Sequence, residues 1–261
     1  MGLSTQAVKS LPPRILVYGS EGIGKTSLGA TANAPIFLPT ENGLSGHIDA
    51  QAFPVSKTYK EAIGYLTELA TQEHDRKTLV VDSLDWLEPL IWDEICRFNA
   101  EKSIEKVGGG YGKGYAMALE LWREYLSILD YLNQEKEMMI IQIAHAQVKR
   151  YENPEMDAYD RYSIKLQDGK STSAAGLLIE YSDIVLFANH QVFVRKEEKV
   201  FNKERKIAVG GGARVLYTEE RPAFKAKNRY GLPPELPFDK DGAYWSIIAN
   251  CVPYFNQTKG E

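Results

Sequence analysis

Cysteine is scarce: Cys96 and Cys251 are the only two in 261 residues, and they lie far apart. That excludes a disulfide framework and the paired spacing of a zinc site, and it fits reduced thiols in a reducing compartment. Long hydrophobic runs are missing too. No stretch approaches the ~20 apolar residues that a membrane-spanning helix needs. Met1 to Gln6 carry no apolar signal core, and Gln6 stands where a myristoylation motif requires Ser or Thr. A cytoplasmic protein with no membrane partner is the expectation. A basic excess is also lacking, because the net charge is −4. Bulk charge therefore supplies no general affinity for nucleic acid, and any such binding has to come from local basic segments. There is no internal repeat and no low-complexity tract. Nothing marks a second domain boundary, so residues 1–13 read as a tail and 14–261 as one domain.

What is present is a phosphate-binding motif. Gly19 to Thr26 read Gly-Ser-Glu-Gly-Ile-Gly-Lys-Thr, which is G-x-x-x-x-G-K-[ST]. The apolar run Ile15 to Tyr18 before it predicts a buried strand, and Ser27 to Ala32 after it can start a helix. Gly22 and Gly24 let the backbone N–H groups turn onto phosphate oxygens. Ser20, Glu21, Gly22, Ile23, Gly24, Lys25, Thr26 and Ser27 form the expected nucleotide-binding set. Lys25 would reach the β- and γ-phosphates of ATP, and the Thr26 hydroxyl would hold Mg²⁺. The strand Thr78 to Asp82 ends in a carboxylate. Side by side with the P-loop strand, it would bring Asp82 to the same Mg²⁺.

Further along, 35–39 predicts a short strand whose polar turn carries Glu41. Thr58 to Glu73 and Leu84 to Glu101 have helical apolar faces, the second with Pro89 inside it and a start as late as Glu88. Five glycines within 108–114 predict an open loop bearing Lys102, Lys106 and Lys113. Such a loop is either a plain linker or one that orders on nucleic acid. A long helix from Ala116 to about Glu135 leads to a buried strand, Met138 to His145. Residues 146–175 then form the longest basic and aromatic stretch, with Lys149, Arg150, Arg161, Lys165, Lys170 and three tyrosines. It reads as a long polar loop in which tyrosines can stack on bases and lysines can meet phosphates. Strands at 182–188 and 214–218, a hairpin pairing 192–195 with 206–209, and a short helix in 242–256 complete the chain. This order gives a three-layer αβα domain, with a mostly parallel sheet and an antiparallel extension on one edge.

These motifs together resemble the phage-encoded RecA-like P-loop ATPases of the Sak single-strand annealing group, over roughly residues 14–237. The resemblance implies a RecA-like core and DNA-stimulated ATP hydrolysis. It implies that Glu41 polarises the attacking water and that the strand ending in Gln142 and His145 senses the γ-phosphate, with His145 favoured. It assigns single-stranded DNA to the segments 99–115 and 146–175. Lys227-Asn228-Arg229-Tyr230-Gly231 looks like the strand end that inserts Lys227 and Arg229 into a neighbour's nucleotide site. The implied partners are single-stranded DNA, further copies of the chain in a ring or filament, and a single-strand-binding protein, within a bacterial or phage-infected cell. Two other classes stay open. One is a small-molecule or nucleotide kinase with 146–175 as its lid. The other is a nucleotide-gated interaction protein.

Overall fold

The computed structural model describes residues 9–44, 50–153, 155–196, 206–239 and 241–257. The first half reads β1 (Arg14–Gly19), α1 (Lys25–Ala30), β2 (Pro35–Pro39), β3 (Gln51–Ala52), α2 (Tyr59–Thr71), β4 (Thr78–Asp82) and α3 (Leu84–Phe98). After a short 3₁₀ segment, Ile104–Gly109, come α4 (Lys113–Gln134), β5 (Met139–Asn153), β6 (Met156–Ile164), α5 (Ala174–Tyr181), β7 (Ile184–Lys196) and β8 (Lys206–Tyr217). The chain closes with β9 (Lys227–Asn228), β10 (Glu235–Pro237), α6 (Ala243–Cys251) and α7 (Pro253–Gln257).

The sheet runs β10-β8-β7-β1-β5-β4-β2-β3. From β7 to β3 its pairs are parallel; β8, β9 and β10 add antiparallel pairs at the far edge. The central strands are apolar at nearly every position because both faces are covered. Leu16, Tyr18, Leu79, Val81 and Ile140 join one core with residues of α2, α3, α4 and α5. Ile15, Val17, Val80, Ile141 and Ile143 join the other, with Leu28 of α1 and Tyr244 and Ile248 of α6. The three-layer fold with its antiparallel edge is therefore as expected.

Several local expectations change. The P-loop strand β1 and the Asp82 strand β4 are not neighbours; β5 lies between them. Residues 146–164 are not a loop. β5 continues beyond the sheet core to Asn153 and returns as β6, pairing Lys149 with Arg161 and Tyr151 with Tyr159. Val148, Tyr151, Tyr159, Tyr162 and Ile164 are residue types that suit such a ribbon. The strands around 182–195 and 206–218 are likewise two long strands, β7 and β8. The glycine segment is organised rather than open. Ile104 and Val107 are buried against Ile95 and Cys96. α4 starts at Lys113, where Gly114 is needed because a Cβ would sit 2.1 Å from the Ile104 carbonyl oxygen. α3 begins at Leu84, with Pro89 inside it in its second turn.

Candidate functional site

The parallel segments of β1, β2, β4, β5 and β7 all finish at one edge of the sheet. Gly19 lies opposite His145 and Ala188, and Asp82 opposite Pro39 and Ile143. This is where open α/β sheets place their ligands. The P-loop bends from this edge into α1. Gly24 has φ 111°, and a Cβ there would meet Arg214 Nη1 at 2.8 Å, so only glycine fits. Lys25 is buried and folds back into the loop. Its Nζ donates to the carbonyls of Gly19 at 3.1 Å and Ser20 at 2.8 Å. Burial holds its pKa below the usual ammonium value, against the pull of Asp82, Asp85, Glu21 and Glu41.

Thr26 Oγ1 donates to Asp82 Oδ2 at 2.8 Å, across the gap that β5 occupies in the sheet. The contact forms although the strands are not adjacent, because Thr26 stands on α1 above the sheet edge. Two hard oxygen donors meeting beside the phosphate loop suit Mg²⁺, which takes one or two protein oxygens and completes its shell with water and phosphate. Burial raises the Asp82 carboxyl above its ordinary value, while Thr26 and Lys25 oppose the shift.

Thr40 ties the neighbouring strand tips together. Its N–H donates to the Asp82 carbonyl at 2.9 Å, and its hydroxyl donates to the Ser83 carbonyl at 2.7 Å. That clamp sets Glu41 beside Asp82. Glu41 Oε1 accepts from Ser83 Oγ at 3.2 Å. Burial, and then the Asp82 charge, raise its pKa above the usual carboxylate value. Gln142 and His145 separate clearly. Gln142 is fully buried and its Oε1 accepts from Tyr125. His145 ends the sheet part of β5, next to Gly19.

His145 has a partner in the first turn of α3, Asp85. Asp85 Oδ1 accepts from the His145 backbone N–H at 2.9 Å, and Asp85 Oδ2 lies 2.8 Å from His145 Nδ1. Burial would raise the Asp85 carboxyl, but the His145 bonds outweigh it and hold the group below the usual range. A charged carboxylate on Nδ1 favours the tautomer with its proton there and turns Nε2 to the other side. Asp85 Oδ2 is also 4.0 Å from Lys165 Nζ, at the end of the β5–β6 ribbon. One turn along α3, both Glu88 carboxylate oxygens lie 3.0 Å from the Gln167 backbone nitrogen. The helix after Asp82 thus grips both the histidine and the base of the ribbon. An acid at i and i+3 on the apolar face of α3 was the available signal.

The basic residues distribute unevenly. Arg150, Lys165 and Lys170 are exposed on or just beyond the ribbon, and Lys149 is half-buried. Arg161 departs from the expectation of a free contact. It is 6% exposed, pairs with Glu220 at 2.5 Å, donates to the Phe224 carbonyl, and sits over the Tyr151 ring. Lys102, Lys106 and Lys113 are exposed on a separate element, before and at the start of α4. Lys227 and Arg229 do not reach this chain's own P-loop. β9 pairs with Ile184 and Val185 at the start of β7, ahead of Ala188, which lies opposite Gly19. Lys227 Nζ donates to the carbonyls of Ile179 and Glu180, and Arg229 pairs with Asp183 at 2.9 Å.

A sequence model described as an AAA domain matches residues 11–230. The SPbeta prophage-derived uncharacterized protein YorG of Bacillus subtilis (strain 168) is 26% identical over 113 residues. The aligned part is 42% of this chain and 35% of that protein's length. Among the described residues, no helix is long and apolar enough to cross a membrane.

Proposed function

This chain belongs to the AAA domain family, and from that premise we propose that it is a phage-type ATPase that works on single-stranded DNA in recombination. The observation that carries the reading is the meeting of Thr26 with Asp82 at 2.8 Å above a strand whose last sheet residue, His145, leads directly into a basic ribbon.

ATP lies with its phosphates on the backbone of Gly22 to Thr26. Lys25 exchanges the carbonyls of Gly19 and Ser20 for β- and γ-phosphate oxygens. Thr26 and Asp82 hold Mg²⁺, which neutralises charge on the phosphate oxygens when bound. Glu41 accepts a hydrogen bond from the attacking water and orients it toward the γ-phosphorus. The bond to the β-phosphate oxygen breaks as the water oxygen bonds to phosphorus. His145, held by Asp85, presents Nε2 to the γ-phosphate. Loss of that phosphate releases the histidine, and the strand carrying it is the strand that bears Lys149 and Arg150. Lys149, Arg150, Lys165 and Lys170 meet DNA phosphates, while Tyr151 and Tyr162 stack on bases. Lys102, Lys106 and Lys113 form a second basic patch toward the strand. The start of β7, where β9 carrying Lys227 pairs, lies about four residues, roughly 13 Å, from Ala188 opposite Gly19, so Lys227 and Arg229 serve a neighbouring copy in a ring or filament. A single-strand-binding protein is a further partner of this reading.

ATP turnover measured with and without a single-stranded oligonucleotide tests it. Turnover should rise several-fold with the oligonucleotide, and Lys25→Ala should abolish it in both conditions. Equal turnover with and without DNA removes the DNA part, and turnover surviving Lys25→Ala removes the P-loop assignment.

A further inference from the structure

Beside Gly24 opens a cavity of about 220 Å³ lined by Gly24, Ser27, Thr31, Arg214, Phe238, Asp239 and Tyr244. We infer that it receives the nucleobase and ribose of the bound triphosphate, and that it selects a purine carrying an exocyclic amino group. The inference rests on the P-loop holding the phosphates, and it assigns residues from β8 and the C-terminal segment that no phosphate motif includes.

Position comes first. Gly24, Ser27 and Thr31 are spaced by three and four residues, so they follow one face of α1 away from the phosphate loop. That path is roughly 10 Å long, the direction in which sugar and base must extend from phosphates seated at its start. The cavity is smaller than the ~300 Å³ at which drug-sized sites begin. It suits one ring system with part of a sugar, with the phosphates outside it.

Chemistry comes second. The floor is aromatic: Phe238 and Tyr244 are buried, with ring centroids 5.7 Å apart. It is also firm. The Thr31 and Tyr244 hydroxyls are 2.9 Å apart, and Trp245 Nε1 donates to Thr31 Oγ1 at 3.0 Å, which docks α6 on α1. Arg214 reaches in from β8. Its Nη1 donates to the Ile23 carbonyl at 3.0 Å, and its guanidinium lies 5.2 Å from the Phe238 ring centroid. Among the described residues the guanidinium has that one hydrogen bond and that one ring contact, so its other face and remaining N–H groups stay available to a base. The acceptor at the rim is Asp239. One oxygen receives the Ala243 N–H at 3.3 Å, and the other has no protein donor among the described residues. A carboxylate at the mouth accepts from an amino group and repels a ring carbonyl at the same position.

The experiment compares equilibrium binding of ATP, ITP and inorganic tripolyphosphate to the full chain with Mg²⁺. ITP carries a carbonyl where ATP carries the amino group. Wild type should bind ATP at least ~10-fold more tightly than tripolyphosphate, and ITP about 3- to 10-fold more weakly than ATP. Arg214→Ala should weaken ATP about tenfold and leave tripolyphosphate within about twofold. Asp239→Ser keeps an oxygen for the Ala243 N–H and should erase the difference between ATP and ITP. The inference is overturned if ATP binds no better than tripolyphosphate, if Arg214→Ala weakens both equally, or if Asp239→Ser leaves the ITP ratio unchanged. If neither ATP nor tripolyphosphate binds, the P-loop reading fails and takes this inference with it. Loss of the base contacts alone leaves tripolyphosphate bound, so the two failures are distinguishable.

Discussion

At the residue scale the site is a set of charges held at the edge of burial. Lys25 is pushed down and Asp82 and Glu41 up, each by desolvation first. Asp85 goes the other way because His145 bonds it twice. Glu88 is the extreme case: burial pushes its carboxyl up to about 7, against hydrogen bonds from Gln167. An acid with a raised folded-state pKa favours the fold when protonated. Its stabilisation is fully present below about 4.5, its ordinary value, and is lost as pH rises through about 7. The loss is on the order of 3 kcal/mol. Glu88→Gln should therefore flatten the stability profile across that window while keeping an oxygen for the Gln167 N–H. Urea midpoints at pH 5 and pH 8 measure this; a wild-type slope retained in the variant would assign the titration elsewhere. The P-loop residues were legible because their spacing alone carries the chemistry. Asp85 and Glu88 were not, since on a helix an acid reads equally well as a surface charge until its partner is known.

At the element scale the principal device is β5. Its first half is a buried parallel strand, Met139–Ala144; its second half is one arm of an exposed antiparallel ribbon. One continuous strand thus connects His145, beside the P-loop, to Lys149 and Arg150. Replacing both with Ala should weaken binding to a single-stranded oligonucleotide. It should also lower the slope of log K against log salt by about 1.4, since each phosphate contact on a single strand contributes roughly 0.7. Filter binding or anisotropy from 50 to 300 mM salt would show it, and an unchanged slope would remove Lys149 and Arg150 from the proposed DNA contact. The sequence marked this stretch as basic and aromatic but not as a ribbon. Its alternation begins inside a run already assigned to the core, and no Asn-Gly or Asp-Gly pair separates it from the return strand.

At the scale of the whole molecule, the P-loop lies at one end of the parallel strands and Lys227 and Arg229 lie toward the other. Asp183 ties Arg229 to Arg14, whose Nε donates to the same carboxylate at 3.0 Å. In an assembly that shares sites between copies, Arg229→Ala alone should lose most ATP turnover, by 10³-fold or more for a contact of this type. Mixing it with Lys25→Ala protein should restore part of the activity, because some junctions then join an intact P-loop to an intact Arg229. Turnover across mixing ratios reads this out, and no recovery at any ratio would confine Arg229 to its pairing with Asp183. By itself the sequence determined the phosphate loop, the existence of the buried strands and the three-layer class. Each of these is written in neighbouring residues: a glycine spacing, an apolar run, a helical period. Only the tertiary structure decided that β5 separates β1 from β4, that Asp85 holds His145, that Arg161 is spent on Glu220, and that Arg214 and Phe238 stand against Gly24. Those are pairings between residues about 60 to more than 200 positions apart. They depend on the order in which strands are laid into the sheet, and that order is set by how both faces bury their apolar surface together, which no local pattern records.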